Sequence, residues 1–282
     1  MEFQWYPGHM TKAKRAMQED LKLIDVIIEL VDARLPLSSK NPDIDPMANG
    51  KSRIILMNKY DLADARVSEQ WVQYYIERGF FVSKTNSKNG SGVKGVGEII
   101  MTACREKIER DRRRGIKNRP IRAMIVGIPN VGKSTFINSF AKRACTKTGN
   151  KPGVTKGKQW IRLNKNVELL DTPGILWPKF DDQNVGLRLA FIGSIKDELF
   201  EVYELSILLL EYLKEQYPGA VAGFYQLEEE REPAQILEDI AVRRGCVKAG
   251  GVLDVDKAGK YLVDDFRSGR IGRISLEMPD NL

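Results

Sequence analysis

The chain has 282 residues, 42% of them hydrophobic, enough for one large domain or two ordinary ones around a real core. Lys+Arg outnumber Asp+Glu by 45 to 38, a net charge of +7 that leans toward a polyanionic partner. Three scattered cysteines (104, 145, 246), no apolar run near the roughly 18 residues of a membrane span and no leader-like start point away from a disulfide scaffold, a C-x-x-C metal site and a membrane protein, toward the cytoplasm.

In chain order, "VIIELVDA" (26–33) and "RIILMNK" (53–59) are β-rich apolar runs ending in polar residues, as buried parallel strands do where they reach a site. "SEQWVQYYIERG" (68–79) is helical, "GFFVSK" (79–84) a third strand and "VGEIIMTACREKIERDRRRG" (96–115) a second helix. "IRAMIVG" (121–127) is a fourth strand, "KSTFINSFAK" the helix after it, and "NVELLDTPG" (166–174) a fifth strand. This alternation predicts an α/β fold with a mostly parallel sheet over residues 1–178. Past residue 178 the apolar patterns are all helical, so 179–282 are expected to form an all-helical C-terminal domain with its boundary near 177–180.

"GIPNVGKS" (127–134) follows a predicted strand and opens a predicted helix, the context a G-x-x-x-x-G-K-S phosphate loop requires. Gly127 and Gly132 let the backbone approach phosphate closely, and the N–H groups of Asn130, Val131 and Gly132 with the helix N-terminus cradle it. Lys133 reaches the β/γ oxygens, Ser134 binds Mg²⁺ and Thr135 lies near the α-phosphate. "DTPG" (171–174) supplies Asp171 for Mg²⁺ through water and Gly174 as the sensor of the γ-phosphate; "KPGVT" supplies Thr155, a hydroxyl that can close on Mg²⁺.

"NKYD" (58–61) names the base. The Asp61 carboxylate can accept from guanine N1–H and the 2-amino group, donors that adenine lacks. Asn58 can bond N7 and tie the loop to the phosphate loop, the Lys59 stem can lie over the base, and Tyr60 stands between them and Asp61. The order is unusual, because base reading precedes phosphate binding. A parallel sheet fixes where each loop sits and not where the chain starts, so joining the usual ends and cutting after D-x-x-G leaves every site residue in place. The base-backing loop then falls in "TNSKNGSG" (85–92), with Asn86 and Ser87 beside guanine O6.

With these motifs, "WYPGHMTKA" (5–13) and "VDARLPLSSKNP" (31–42), the chain resembles the circularly permuted GTPases of the YlqF/YawG type. The resemblance covers the GTPase domain, and the length and helical tail fit it. It implies a GTP-hydrolysing assembly factor for the large ribosomal subunit that binds ribosomal RNA and precursor particles, is stimulated by them and is a monomer off the ribosome. The residues leave two other readings open: a GTPase switch acting on a protein partner without RNA, and a nucleotide binder that does not hydrolyse.

The last reading is motivated by Ile175, which stands where many GTPases carry the Gln that orients the attacking water. Slow intrinsic turnover is therefore expected. Asn130 either holds a K⁺ between the phosphates or is a turn residue; His9, the only histidine, either positions water or faces the surface or RNA. Basic runs at 105–119 and 243–273, each with eight Lys/Arg, suit either solvent or RNA phosphates.

Overall fold

A computed structural model of the chain describes residues 17–48, 50–116, 119–142, 159–163, 165–172, 182–228 and 230–279. Six strands, β1 (Val26–Asp32), β2 (Ser52–Asn58), β3 (Phe81–Thr85), β4 (Ile121–Val126), β5 (Gln159–Arg162) and β6 (Val167–Asp171), form one sheet in the order β3-β2-β1-β4-β6-β5. All neighbours pair in parallel except β5 and β6. β1 is buried along its whole length, which its continuous apolar run requires of a strand covered on both faces. Its one mid-strand charge, Glu29, is met by Arg53 at 2.8 Å and by the backbone N–H of Asn41 at 3.1 Å.

β5 is absent from the sequence reading. It is four residues long, lies at the sheet edge and exposes Trp160, so it carries none of the apolar continuity that marks the central strands. The helix expected over 96–115 is two, Val96–Ala103 and Arg105–Arg113, which part at Cys104 where the sequence turns from apolar to charged. The helix Ala65–Glu77 begins three residues early because Asp64 accepts hydrogen bonds from the N–H groups of Arg66 and Val67. Its inner face brings Trp71 and Tyr75 against Val31, Ala33 and Met57.

Strand register aligns the site. Asp32 is level with Asn58, Asn58 with Thr85, and Asp171 with Ile125, all at carboxyl ends of strands. The chain builds outward from β1 through β2 to β3 and then returns to place β4 on β1's other side. The gap between β1 and β4 is therefore the topological switch point, where open α/β sheets bind ligands.

The chain divides into two compact units, one taking in Asn184–Ile274 and the other the rest. The Asn184–Ile274 unit holds most of the helix Gln183–Phe191, a single 3-10 turn at Asp197–Leu199, the helices Val202–Gln216, Ala220–Tyr225, Pro233–Arg243 and Val255–Arg267, and an isolated bridge, Val247 to Leu253. The expected boundary at 177–180 lies outside the described residues. The expectation that everything past 179 is helical domain needs correcting at its end: the chain from Ser275 belongs with the sheet. There, Glu277 satisfies the N–H of Ser38 at 3.0 Å, and Leu276 donates to the Arg34 carbonyl at 2.6 Å.

Candidate functional site

The phosphate loop follows β4 and turns into the helix Lys133–Ala141. Two glycines make this possible. Gly127 has φ 152°, and a Cβ there would lie 2.6 Å from the Leu30 carbonyl; Gly132 has φ 101°, and a Cβ there would collide with the Asn58 amide. Asn130 holds φ 59° without being glycine, a conformation that asparagine tolerates better than most residues. Lys133 folds over the loop, and its Nζ donates to the carbonyls of Gly127 at 2.8 Å and Ile128 at 2.9 Å. Burial pushes the Lys133 ammonium down to about 8, against the attraction of Asp171.

Asp171 ends β6 and is 1% exposed, yet neither carboxylate oxygen has a hydrogen-bond partner among the described residues. Burial pushes its carboxyl up to about 6, with Lys133 pulling the other way. A buried carboxylate with both oxygens orphaned is costly unless a ligand completes it. A hydrated divalent cation beside phosphate fits that need. No group of three or more His, Cys, Asp or Glu that could hold a metal by itself occurs among the described residues. Such a cation would therefore lean on substrate oxygens and the Ser134 hydroxyl.

The base-reading side is built differently. Asn58 is buried at the end of β2, and its Nδ2 donates to the Val131 carbonyl at 2.8 Å. Its Oδ1 accepts from the Ser87 N–H at 3.0 Å, the Ser87 hydroxyl at 2.7 Å and the Thr85 hydroxyl at 3.3 Å. One amide thus joins the base-reading, base-backing and phosphate loops. Asn86 shapes its own turn, accepting from the N–H groups of Lys88 at 2.9 Å and Asn89 at 3.1 Å. The Tyr60 hydroxyl lies 3.1 Å from the Ser91 hydroxyl, and Asp61 is exposed at the loop tip.

Lys59 holds φ 58° and its Nζ bonds Asp32 at 2.9 Å. Asp32 is fully buried and held in a fork by Arg34 at 2.9 and 2.8 Å. Burial opposes its charge, but the Arg34 and Lys59 cations outweigh that and hold its carboxyl well below the usual range. The motifs legible in the sequence give Asp32 and Arg34 no role. The signal was present, since two opposite charges, Asp32 at the end of the buried strand β1 and Arg34 just past it, stand close together in the sequence. Of the expected site residues, Asn58, Lys59, Tyr60, Asp61, Asn86, Ser87, Asn130, Val131, Gly132 and Asp171 lie on loops or strand ends at the carboxyl edge of the sheet, and Lys133, Ser134 and Thr135 open the helix that follows β4. His9, Thr155 and Gly174 lie outside the described residues, as does Ile175.

A protein-family model described as a 50S ribosome-binding GTPase matches residues 122–236, starting in β4 where an unpermuted GTPase would begin. Ribosome biogenesis GTPase A of Bacillus cereus is 46% identical over 281 residues, covering 99% of this chain and 95% of its own. Its namesake from Thermotoga maritima is 32% identical over 278 residues, covering 99% and 95%. Among solved structures, GDP-bound TM YlqF superposes with a TM-score of 0.69 at 28% identity, covering 94% of this chain and all of that one. GNP-bound YlqF from T. maritima gives 0.66 at 30% identity, with 95% and 99% covered. Guanine nucleotides with Mg²⁺ are the ligands such a site takes. With a permuted GTPase sheet, a helical unit after it and full-length relatives at 46% identity, the chain belongs to the ribosome biogenesis GTPase A family of GTP-binding, GTP-hydrolysing proteins.

Proposed function

We propose that this protein is a cytoplasmic GTPase that helps assemble the large ribosomal subunit, binding ribosomal RNA and precursor particles in its GTP state. The nucleotide half of the reading is carried by one observation: the Asn58 amide binds the Val131 carbonyl, so the loop that names the base is fastened to the loop that holds the phosphates. The ribosomal half is supported by the names of the full-length relatives. The basic runs at 105–119 and 243–273 suit RNA phosphates.

In this reading Asp61 accepts two hydrogen bonds from the guanine edge, Asn58 bonds N7, the Lys59 stem covers the base, and the Asn86–Ser87 backbone meets O6. Lys133 gives up its two carbonyl partners for β/γ-phosphate oxygens, whose charge restores the full proton affinity that burial has taken from it. Mg²⁺, held by Ser134 and Thr155 and by Asp171 through water, would neutralise charge on the β- and γ-phosphates. Gly174 reports the γ-phosphate. With Ile175 in place of a water-orienting Gln, unaided turnover is slow; a K⁺ beside Asn130 supplies positive charge at the transition state, and His9 positions the water.

Sedimentation with large-subunit precursor particles, in a GTP analogue against GDP, tests the whole. Co-sedimentation at least 5-fold stronger with the GTP analogue is expected, a coupling of about 1 kcal/mol or more. Equal sedimentation in both states, or none in either, would overturn it.

A further inference from the structure

Six hydrogen bonds, each spanning more than 200 residues of sequence, hold the chain from Ser275 to Glu277. Glu277 is 6% exposed, and its carboxylate accepts from the N–H groups of Leu37 and Ser38 and, at 2.6 Å, from the Ser38 hydroxyl. Those two N–H groups sit at the start of a turn, where nothing in the turn itself bonds them. The Leu276 N–H donates to the Arg34 carbonyl at 2.6 Å. The Ser275 hydroxyl accepts from the Asp64 N–H at 3.2 Å, and the indole of Trp71 donates to the Glu277 carbonyl at 3.1 Å.

These contacts fall on two segments, and each leads to the base reader. Arg34 forks onto Asp32, and Asp32 holds Lys59. Asp64 follows Asp61 by three residues and caps the helix that carries Trp71. The loop 58–61 is thus braced from both sides by groups that the tail itself touches. One brace is a chain of buried charges. The other is the first turn of a helix. Lys59 sits at φ 58°, a conformation that costs energy and persists where the surroundings impose it.

We propose that the segment Ser275–Glu277 is a positioning element for guanine recognition: it holds the Arg34 turn and the Asp64 cap, and through them the orientation of Lys59 and Asp61 toward the base. The proposal rests on the reading of Asp61 as the guanine reader. Its mark is specificity. Inosine nucleotides lack the 2-amino group, so they lose one of the two bonds to Asp61. A well-placed carboxylate then favours GDP over IDP by about 10-fold or more. A loosened one reads the difference poorly while the phosphate loop still binds both.

Full-length Glu277→Ala and the milder Ser275→Ala and Glu277→Gln give the test, with dissociation constants for GDP and IDP measured beside a thermal melt. The expected result is a fall of about 3- to 10-fold in the IDP/GDP ratio for Glu277→Ala, a smaller fall for the two milder variants, and GDP losing more affinity than IDP. Lower melting temperature with the ratio kept within 2-fold in all folded variants would make the tail a structural brace only and overturn the proposal. A parent chain that binds both nucleotides equally would instead remove the reading of Asp61, and the proposal with it.

Discussion

The two halves of the nucleotide site differ in how complete they are without ligand. On the base side every buried polar group is met from within the protein: four hydrogen bonds on the Asn58 amide, three on the Asp32 carboxylate from Arg34 and Lys59 side chains. On the phosphate side Asp171 has both oxygens orphaned and Lys133 leans on two loop carbonyls. The difference separates recognition from chemistry. A rigid, satisfied base reader, as the proposed function makes this side, would select guanine at little ordering cost. An unsatisfied phosphate side reserves its binding energy for charge that the nucleotide and its cation bring.

That contrast can be broken from either side. Removing the Lys133 ammonium should do the most damage, since in the proposed function its charge meets the transferring phosphoryl group. Lys133→Ala should lower GTP turnover about 10³-fold, by single-turnover assay, with a melting temperature close to the parent's. An intact rate would return Lys133 to a loop-bracing role. On the other side, Asp61→Asn turns an acceptor into a donor facing guanine N1–H. GTP affinity should fall about 100-fold while xanthosine triphosphate gains, read by competition against a fluorescent GDP. A variant that still binds GTP tightly would mean that "NKYD" does not read the base.

The phosphate side should also respond to pH where the base side does not. The Asp171 carboxyl stands near 6 because burial disfavours its ionised form, so the anion that a hydrated cation needs is present above pH 6 and is lost as pH falls through it. The Mg²⁺-dependent part of GDP affinity should weaken about 10-fold between pH 7 and pH 5, by titration with and without EDTA. Asp32 is held far below the usual range, and the Mg²⁺-independent part should stay level over that interval. The smallest effect concerns Asn130. Turnover should be several-fold faster in K⁺ than in Na⁺ at equal ionic strength, and Asn130→Ala should erase the difference. Equal rates in the two salts would remove the cation from the reading.

Much of this site was legible in the sequence because its signals are local. "GIPNVGKS" and "NKYD" each encode a backbone shape and a chemistry within eight residues or fewer, and each follows a strand whose apolar run announces it. The permutation was legible for a similar reason, since motif order is simply read along the chain. What was not legible depends on distant residues. Nothing near Glu277 says that its carboxylate will meet Ser38, and "ISLEMPD" (274–280) reads as the ragged end of a helical domain. Asp32 shows a middle case. Its burial was implied by the strand, but the identity of its partners required the fold to bring Lys59 beside it.

The return of the tail also sets an order of events during synthesis. Ser38 and Glu277 are 239 residues apart, so a ribosome adding about 5–20 residues per second delivers them roughly 10–50 s apart. The other five strands, the phosphate loop and "NKYD" all emerge within that interval, with Leu37 and Ser38 still bonded to water. The helical unit must be made before residue 277 can dock, and its folding shortens the loop that the docking closes. A nascent chain therefore passes through a stage in which the nucleotide pocket is built but its last fastener is missing. Guanine nucleotide present at that stage would act as a temporary brace, holding the loop 58–61 until the tail arrives.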